Sequence, residues 1–119
     1  MKNFKLKNYV LLLFIFILLF FVACEDQTPD INASVSFTGT QFIITNNDNF
    51  NYDNAKLELN GKYVLKGYNL KAGKTYTIGM SQFADDDGNR FSFIQKPQKF
   101  SIWCDIKGGK NGFFYAEWK

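Results

Sequence analysis

The chain has 119 residues, enough for one domain, and it contains no histidine, which excludes Ser-His-Asp, Cys-His and histidine–metal sites. Its 14 lysine and arginine residues exceed its 11 aspartate and glutamate residues, but the three lysines among the first 23 residues account for the whole excess. The remainder is formally neutral, which argues against nucleic acid as a partner because phosphate binding needs a clustered positive face.

Residues 1–23 have the composition of a secretory signal peptide. Lys2, Lys5 and Lys7 form a basic start, and an apolar run of 15 residues follows from Tyr9 to Ala23. A helix that crosses a bilayer needs about 20 apolar residues, whereas a shorter run suits the core of a signal peptide. We therefore predict that residues 1–23 direct export and are removed.

The stretch "FVAC", Phe21 to Cys24, resembles a bacterial lipobox. The resemblance implies that a signal peptidase cuts before Cys24, whose thiol then carries the lipid, with palmitate among its acyl chains. Phe21 departs from the leucine that is usual at its position. The alternative is an uncleaved anchor that happens to contain a cysteine.

The residues after the cysteine predict a tether over residues 24–30. The sequence "EDQTPD" is polar and contains a proline, which favours a flexible linker. Cys24 with Glu25 and Asp26 resembles the surface-export signal of lipoproteins in some Gram-negative bacteria. The resemblance implies an outer-membrane address with exposure at the cell surface, and the alternative is an ordinary solvated linker.

Residues 31–119 have the pattern of an all-β domain. The segment "AKLELN" alternates, with Ala55, Leu57 and Leu59 on one face, and Asn60-Gly61 then predicts a hairpin turn, because both turn residues take positive φ. "KTYTIGMSQF" is the longest candidate strand, and "RFSFIQ" is a short one. About seven short strands joined by turns predict a small antiparallel β-sandwich of the immunoglobulin-like class.

The segment "LKAGKTY" resembles the tyrosine corner of fibronectin type III-like and related immunoglobulin-like domains. The resemblance implies that Leu70 enters the core, that Gly73 permits a tight turn, and that the Tyr76 hydroxyl bonds back onto the preceding loop. These three residues would then be structural.

Residues 45–54, "TNNDNFNYDN", combine asparagines with two aromatic rings. Rings that stack on a sugar beside amides that bond its hydroxyls would make a ligand-binding loop of Phe50, Asn51 and Tyr52, with Trp103 as a further candidate on an outward-facing strand position. The alternative is a turn whose asparagines satisfy their own backbone while the rings close the end of the core.

The segment "ADDDGNRF" places oxygen ligands at Asp85, Asp87 and Asn89 around a sharp turn at Gly88, a pattern similar to that of calcium loops. The spacing is too short for an EF-hand and no downstream glutamate completes it. The alternative is an Asp-Gly hairpin with solvated carboxylates. We expect no cofactor apart from weak calcium binding if the first interpretation holds.

Cys104 lies in the strand pattern "FSIWCDI" and is expected to be a small buried hydrophobe rather than a reactive thiol. The whole pattern predicts a lipid-anchored, non-catalytic binding module of the bacterial outer membrane or cell surface. A membrane is its partner through the anchor, and its ligand is a protein or a glycan. The alternative is a structural or accessory subunit of an envelope protein complex.

Overall fold

The computed structural model describes residues 30–118. The predicted signal peptide, Cys24 and all of the predicted tether except Asp30 lie outside the described residues. Seven strands follow in chain order: β1 (Ala33–Phe37), β2 (Gln41–Asn46), β3 (Tyr52–Leu59), β4 (Tyr63–Leu70), β5 (Thr75–Gly79), β6 (Lys99–Ile106) and β7 (Lys110–Glu117). One short 3-10 turn, Met80–Gln82, follows β5.

The strands form two antiparallel sheets, one of order β1-β2-β5 and one of order β4-β3-β6-β7. A constant-type immunoglobulin domain pairs its first, second, fifth and fourth strands in one sheet and its third, sixth and seventh in the other. Here β4 pairs with β3 instead of β5, and the rest of the order is the same. The prediction of a small antiparallel β-sandwich is therefore confirmed.

The core lies between the inner faces of the two sheets. Strand β3 illustrates this arrangement. Its inward residues Ala55, Leu57 and Leu59 have no exposed surface, whereas the Lys56 and Glu58 side chains between them remain 44% and 27% exposed. Alternate residues of β2, β5 and β6 close the core from both sheets, and the fully buried ones include Phe42, Ile44, Ile78, Phe100 and Ile102.

The predicted Asn60-Gly61 hairpin is present, and a second hairpin joins β6 to β7. Asn60 and Gly61 have φ of 56° and 67°, and the Lys62 N–H donates to the Leu59 carbonyl at 3.2 Å, which joins β3 to β4. Gly108 and Gly109 have φ of 95° and 79° in the turn between β6 and β7. Both turns need residues that tolerate positive φ.

Two strand predictions are wrong, one in its extent and the other altogether. The predicted long strand stops at Gly79, because the 3-10 turn that follows directs Phe83 into the core, where none of its surface is exposed. The segment "RFSFIQ" is no strand: Phe91 is buried, and residues 92–95 form a turn closed by a hydrogen bond of 3.0 Å from the Gln95 N–H to the Ser92 carbonyl.

Candidate functional site

The proposed ligand-binding loop contains a core residue. Tyr52 is the first residue of β3 and has no exposed surface, and its hydroxyl donates a hydrogen bond of 2.7 Å to Asp48 Oδ2 and lies 3.2 Å from the Asn32 carbonyl. Burial raises the Tyr52 pKa above its ordinary value, and the hydrogen bond to Asp48 raises it further. Tyr52 cannot stack on a ligand, so its prediction as a binding residue is wrong.

The amides of the same loop serve the backbone. Buried Asn46 donates through Nδ2 to the carbonyls of Phe50 and Leu70 at 2.9 and 3.0 Å, and its Oδ1 accepts from the Asp48 N–H at 2.9 Å. Asn51 Oδ1 accepts from the Ala72 N–H at 2.9 Å. These bonds hold residues 47–51 against the neighbouring turn, as the alternative interpretation predicts.

Phe50 is half-buried and packs against the core, with its ring centroid 5.9 Å from that of Tyr52. It closes the end of the sandwich, so the loop does not present a pair of free rings. The sequence could not distinguish the two arrangements, because a ring in a polar loop is compatible with either.

The tyrosine-corner residues have the geometry that the motif predicts. The Tyr76 hydroxyl accepts a hydrogen bond of 2.8 Å from the Lys71 N–H, Gly73 has φ of 70°, and Leu70 is fully buried. This cluster fixes the β4–β5 turn and is structural.

The acidic loop uses its first carboxylate internally. Asp85 Oδ1 accepts from the N–H groups of Asp87 and Asn89 at 3.0 and 2.8 Å, and its side chain is only 4% exposed. Burial acts to raise the pKa of Asp85, but these hydrogen bonds together with the Lys62 ammonium 3.9 Å away outweigh it, and the net pKa is lowered. Within residues 30–118 no three acidic, cysteine or histidine side chains are grouped to hold a metal ion.

Cys104 is a free thiol that is 5% exposed, on the inner side of β6. Burial raises its pKa to about 11, and the carboxylates of Asp105 and Asp53 act in the same direction, against a hydrogen bond from the Gly112 backbone. A thiol of this kind holds its proton at neutral pH and is a poor nucleophile.

The outward side of the four-stranded sheet carries three aromatic rings. Trp103 and Tyr115 are 46% and 47% exposed, and Phe113, directly opposite Trp103 in the β6–β7 ladder, has its ring centroid 4.2 Å from that of the indole. We call Trp103, Phe113 and Tyr115 the outer aromatic face. Trp103 was predicted from its outward position, whereas Phe113 and Tyr115 were missed although "GFFYAEW" alternates around them.

A depression of about 260 Å³ adjoins the indole. We call it the Trp103 depression, and it is lined by Asn54, Lys56, Trp103, Cys104, Asp105 and Asn111. It brings one predicted ligand-binding residue, Trp103, together with polar residues that the sequence analysis did not single out. Phe50, Asn51 and Tyr52 are not part of it.

A second apolar feature lies in the segment between β5 and β6. Phe93 and Ile94 are 78% and 81% exposed at the tip of the turn over residues 92–95. Gln95 fixes this turn, since its Oε1 accepts from the Ser92 N–H at 3.0 Å and its Nε2 donates to the Tyr63 hydroxyl at 2.6 Å. We call Phe93 and Ile94 the apolar tip.

Comparison of the chain with protein-family models, with curated proteins and with solved structures finds no match in any of the three. In the part of the chain that the structure describes, no helix has the length and apolar character needed to cross a bilayer.

Proposed function

We propose that this chain is a lipid-anchored, non-catalytic binding module of the bacterial outer membrane or cell surface. The lipobox-like stretch that ends at Cys24 supports the anchor. One structural observation carries the binding role: Trp103 and Tyr115 are each nearly half exposed on one face of a sheet whose inner side already fills the core. Large exposed aromatic side chains that the core does not need are typical of interaction surfaces.

The anchor is tested by metabolic labelling. Cells that express the full chain are fed labelled palmitate, and the matched variant is Cys24→Ala. We expect label in the wild-type protein and none in the variant. A mature product that keeps residues 1–23, or wild-type protein without label, would refute the anchor and the address.

The binding role is tested by photocrosslinking in intact cells. A benzophenone amino acid replaces Tyr115 on the outer aromatic face or, as a control, Thr77, an exposed residue of β5 in the other sheet. We expect a discrete adduct from position 115 only. Equal adducts from both positions, or none from position 115, would remove the binding role from this face.

A second candidate function is an accessory subunit of an envelope protein complex, and the apolar tip favours it. Two adjacent apolar side chains at roughly 80% exposure, held in a hydrogen-bonded turn, suit insertion into a pocket of another protein. The test is the double variant Phe93→Ser with Ile94→Ser. Loss of one reproducible cross-linked complex, with Trp103→Ala unaffected, would favour this candidate over the first.

A further inference from the structure

The polar side chains of the Trp103 depression differ from those of the 47–51 loop in their hydrogen bonding. Within residues 30–118, the side chains of Asn54, Asp105 and Asn111 make no hydrogen bond and no ion pair, and all three are exposed. The side chains of Asn46 and Asn51, in contrast, bond to backbone groups. The depression therefore keeps its donors and acceptors available to a ligand.

A β-bulge shapes this depression. Strand β3 has one residue more than β6 between two ladder pairs, Asp53 with Asp105 and Lys56 with Trp103. Asn54 lies in the bulge with φ of 49°, a conformation that asparagine tolerates better than most residues. The extra residue keeps Ala55 in the core while the Asn54 amide lines the depression beside the indole.

We propose that the Trp103 depression binds an uncharged glycan. The indole of Trp103 stacks on the apolar face of a sugar ring, and Asn54, Asp105 and Asn111 exchange hydrogen bonds with its hydroxyls. An amide supplies both donors and acceptors and a carboxylate supplies acceptors, which together match a hydroxyl-covered ligand. The inference rests on the proposed binding function and names its ligand class.

The charges around the depression favour an uncharged ligand. Lys56 is the one cation in its lining, and its ammonium lies 3.4 Å from the Glu58 carboxylate. Asp105 has no cationic partner in residues 30–118 and lies directly opposite Asp53 across the β3–β6 ladder. The lining therefore offers an acidic ligand one cation that is already paired and one carboxylate, Asp105, that would repel a uronate or sialic acid.

The outer aromatic face extends the site along β7. Residues two apart on one side of a strand are separated by about 7 Å, so Phe113 and Tyr115 continue the platform that Trp103 begins. This length accommodates more than a single sugar ring. We therefore expect the ligand to be an oligosaccharide or polysaccharide chain that lies on the outward face of β6 and β7.

The full-length chain is solubilised in a zwitterionic detergent, because a detergent with a sugar headgroup would compete with the glycans. The solubilised protein is applied to immobilised neutral glycans (β-glucan, mannan, xylan and chitooligosaccharide) and to acidic ones (polygalacturonate, hyaluronan and sialylated lactose). We expect retention on at least one neutral glycan and none on the acidic set. Trp103→Ala should weaken binding about tenfold or more, as expected for a central stacking ring, and Trp103→Phe should weaken it less.

Two further variants complete the design. Phe93→Ala removes a still more exposed ring outside the depression and should leave glycan binding unchanged, which controls for nonspecific adhesion. Asp105→Asn removes the charge, so it should increase retention on the acidic glycans relative to the wild-type protein. The thermal midpoint of each variant confirms that it is folded.

Three outcomes would overturn the inference: no retention on any glycan, equal binding by wild type and Trp103→Ala, or a preference for acidic glycans. If no glycan retains the protein while the crosslinker at position 115 still captures a protein, the glycan inference is refuted and the proposed binding function is retained. If both assays fail, the proposed function falls as well.

Discussion

The Tyr52 hydroxyl donates a hydrogen bond of 2.7 Å to the carboxylate of Asp48, four residues earlier in the chain. The same carboxylate oxygen accepts from the Asn32 N–H at 2.8 Å. Asp48 thus joins the segment before β1 to the start of β3, across the two sheets. Tyr52, which the sequence suggests as a sugar-binding residue, is therefore a structural residue.

We predict that Tyr52→Phe destabilises the protein by about 1–3 kcal/mol. The substitution keeps the buried ring but removes the donor, so the partly buried Asp48 carboxylate loses a partner. Urea unfolding at neutral pH measures the change. Tyr115→Phe is the matched control, because its hydroxyl bonds to Glu117 at the surface and its loss should change stability little. A neutral effect of Tyr52→Phe would contradict this account.

We predict that Tyr76→Phe lowers the free energy of unfolding by about 1 kcal/mol, because the Lys71 N–H loses its acceptor. The control is Tyr68→Phe, since the Tyr68 ring packs edge-on at 6.0 Å from Tyr76 but its hydroxyl makes no hydrogen bond among residues 30–118. The same urea experiment compares the two. Equal losses would show that the corner hydrogen bond contributes nothing specific.

We predict that Gly112→Ala destabilises the fold by about 1–3 kcal/mol through overpacking. A Cβ at Gly112 would lie 2.6 Å from Ile31 Cγ2 and 2.8 Å from Ile106 Cδ1, closer than side chains tolerate. Gly79→Ala serves as the control, because its nearest neighbour would be 4.0 Å away and its φ is −65°. Thermal melts of both variants check the prediction, which fails if the two midpoints coincide.

We predict that the protein loses stability in alkali partly through Cys104. Its folded pKa of about 11 lies above the ordinary value of 9.0, so the unfolded thiol ionises first as pH rises. The protonated thiol's contribution to the free energy of unfolding is fully present below pH 9. It is lost between pH 9 and 11 and amounts to a value on the order of 2 kcal/mol. Tyr52, whose pKa is also raised, adds a loss that begins near pH 10.

Cys104→Ala isolates the thiol, because it should flatten the stability curve between pH 9 and 11 while leaving the tyrosine contribution in place. In the Cys24→Ala background, where Cys104 is the remaining thiol of the sequence, a thiol-reactive dye should modify the protein at neutral pH only after unfolding. Rapid labelling of the folded protein, or an unchanged slope in the variant, would refute the buried, protonated thiol.

We predict that calcium leaves the thermal midpoint unchanged, since the Asp85 carboxylate is already engaged by its own loop. Asp85→Ala should lower the midpoint, and Asp87→Ala should leave it unchanged. Because the folded pKa of Asp85 is lowered from 3.8, its contribution is present above that pH and fades as pH falls below it. Calcium-dependent heat in calorimetry, abolished by Asp87→Ala, would support a metal site instead.

Local sequence patterns were enough for the all-β class, for most of the strands and for the Asn60-Gly61 turn. Alternation in β3 separated core from surface correctly, and Asn60-Gly61 required a turn that accepts positive φ. Both signals act between neighbours in the chain, so a single sequence contains them. The sequence by itself also shows that histidine is absent, which excludes the catalytic and metal sites that require it.

The tertiary structure alone decided which aromatic rings are available. Phe50 and Tyr52 look exposed in a polar segment, yet Asp48 and Asn46 hold that segment against the core. Alternation along β6 predicts an outward Trp103, but Tyr115 looks like a core residue in an apolar strand, and only the β6–β7 pairing places it outside beside Trp103. Which side of a strand meets the core depends on contacts between residues far apart in sequence, and burial follows from those contacts rather than from composition.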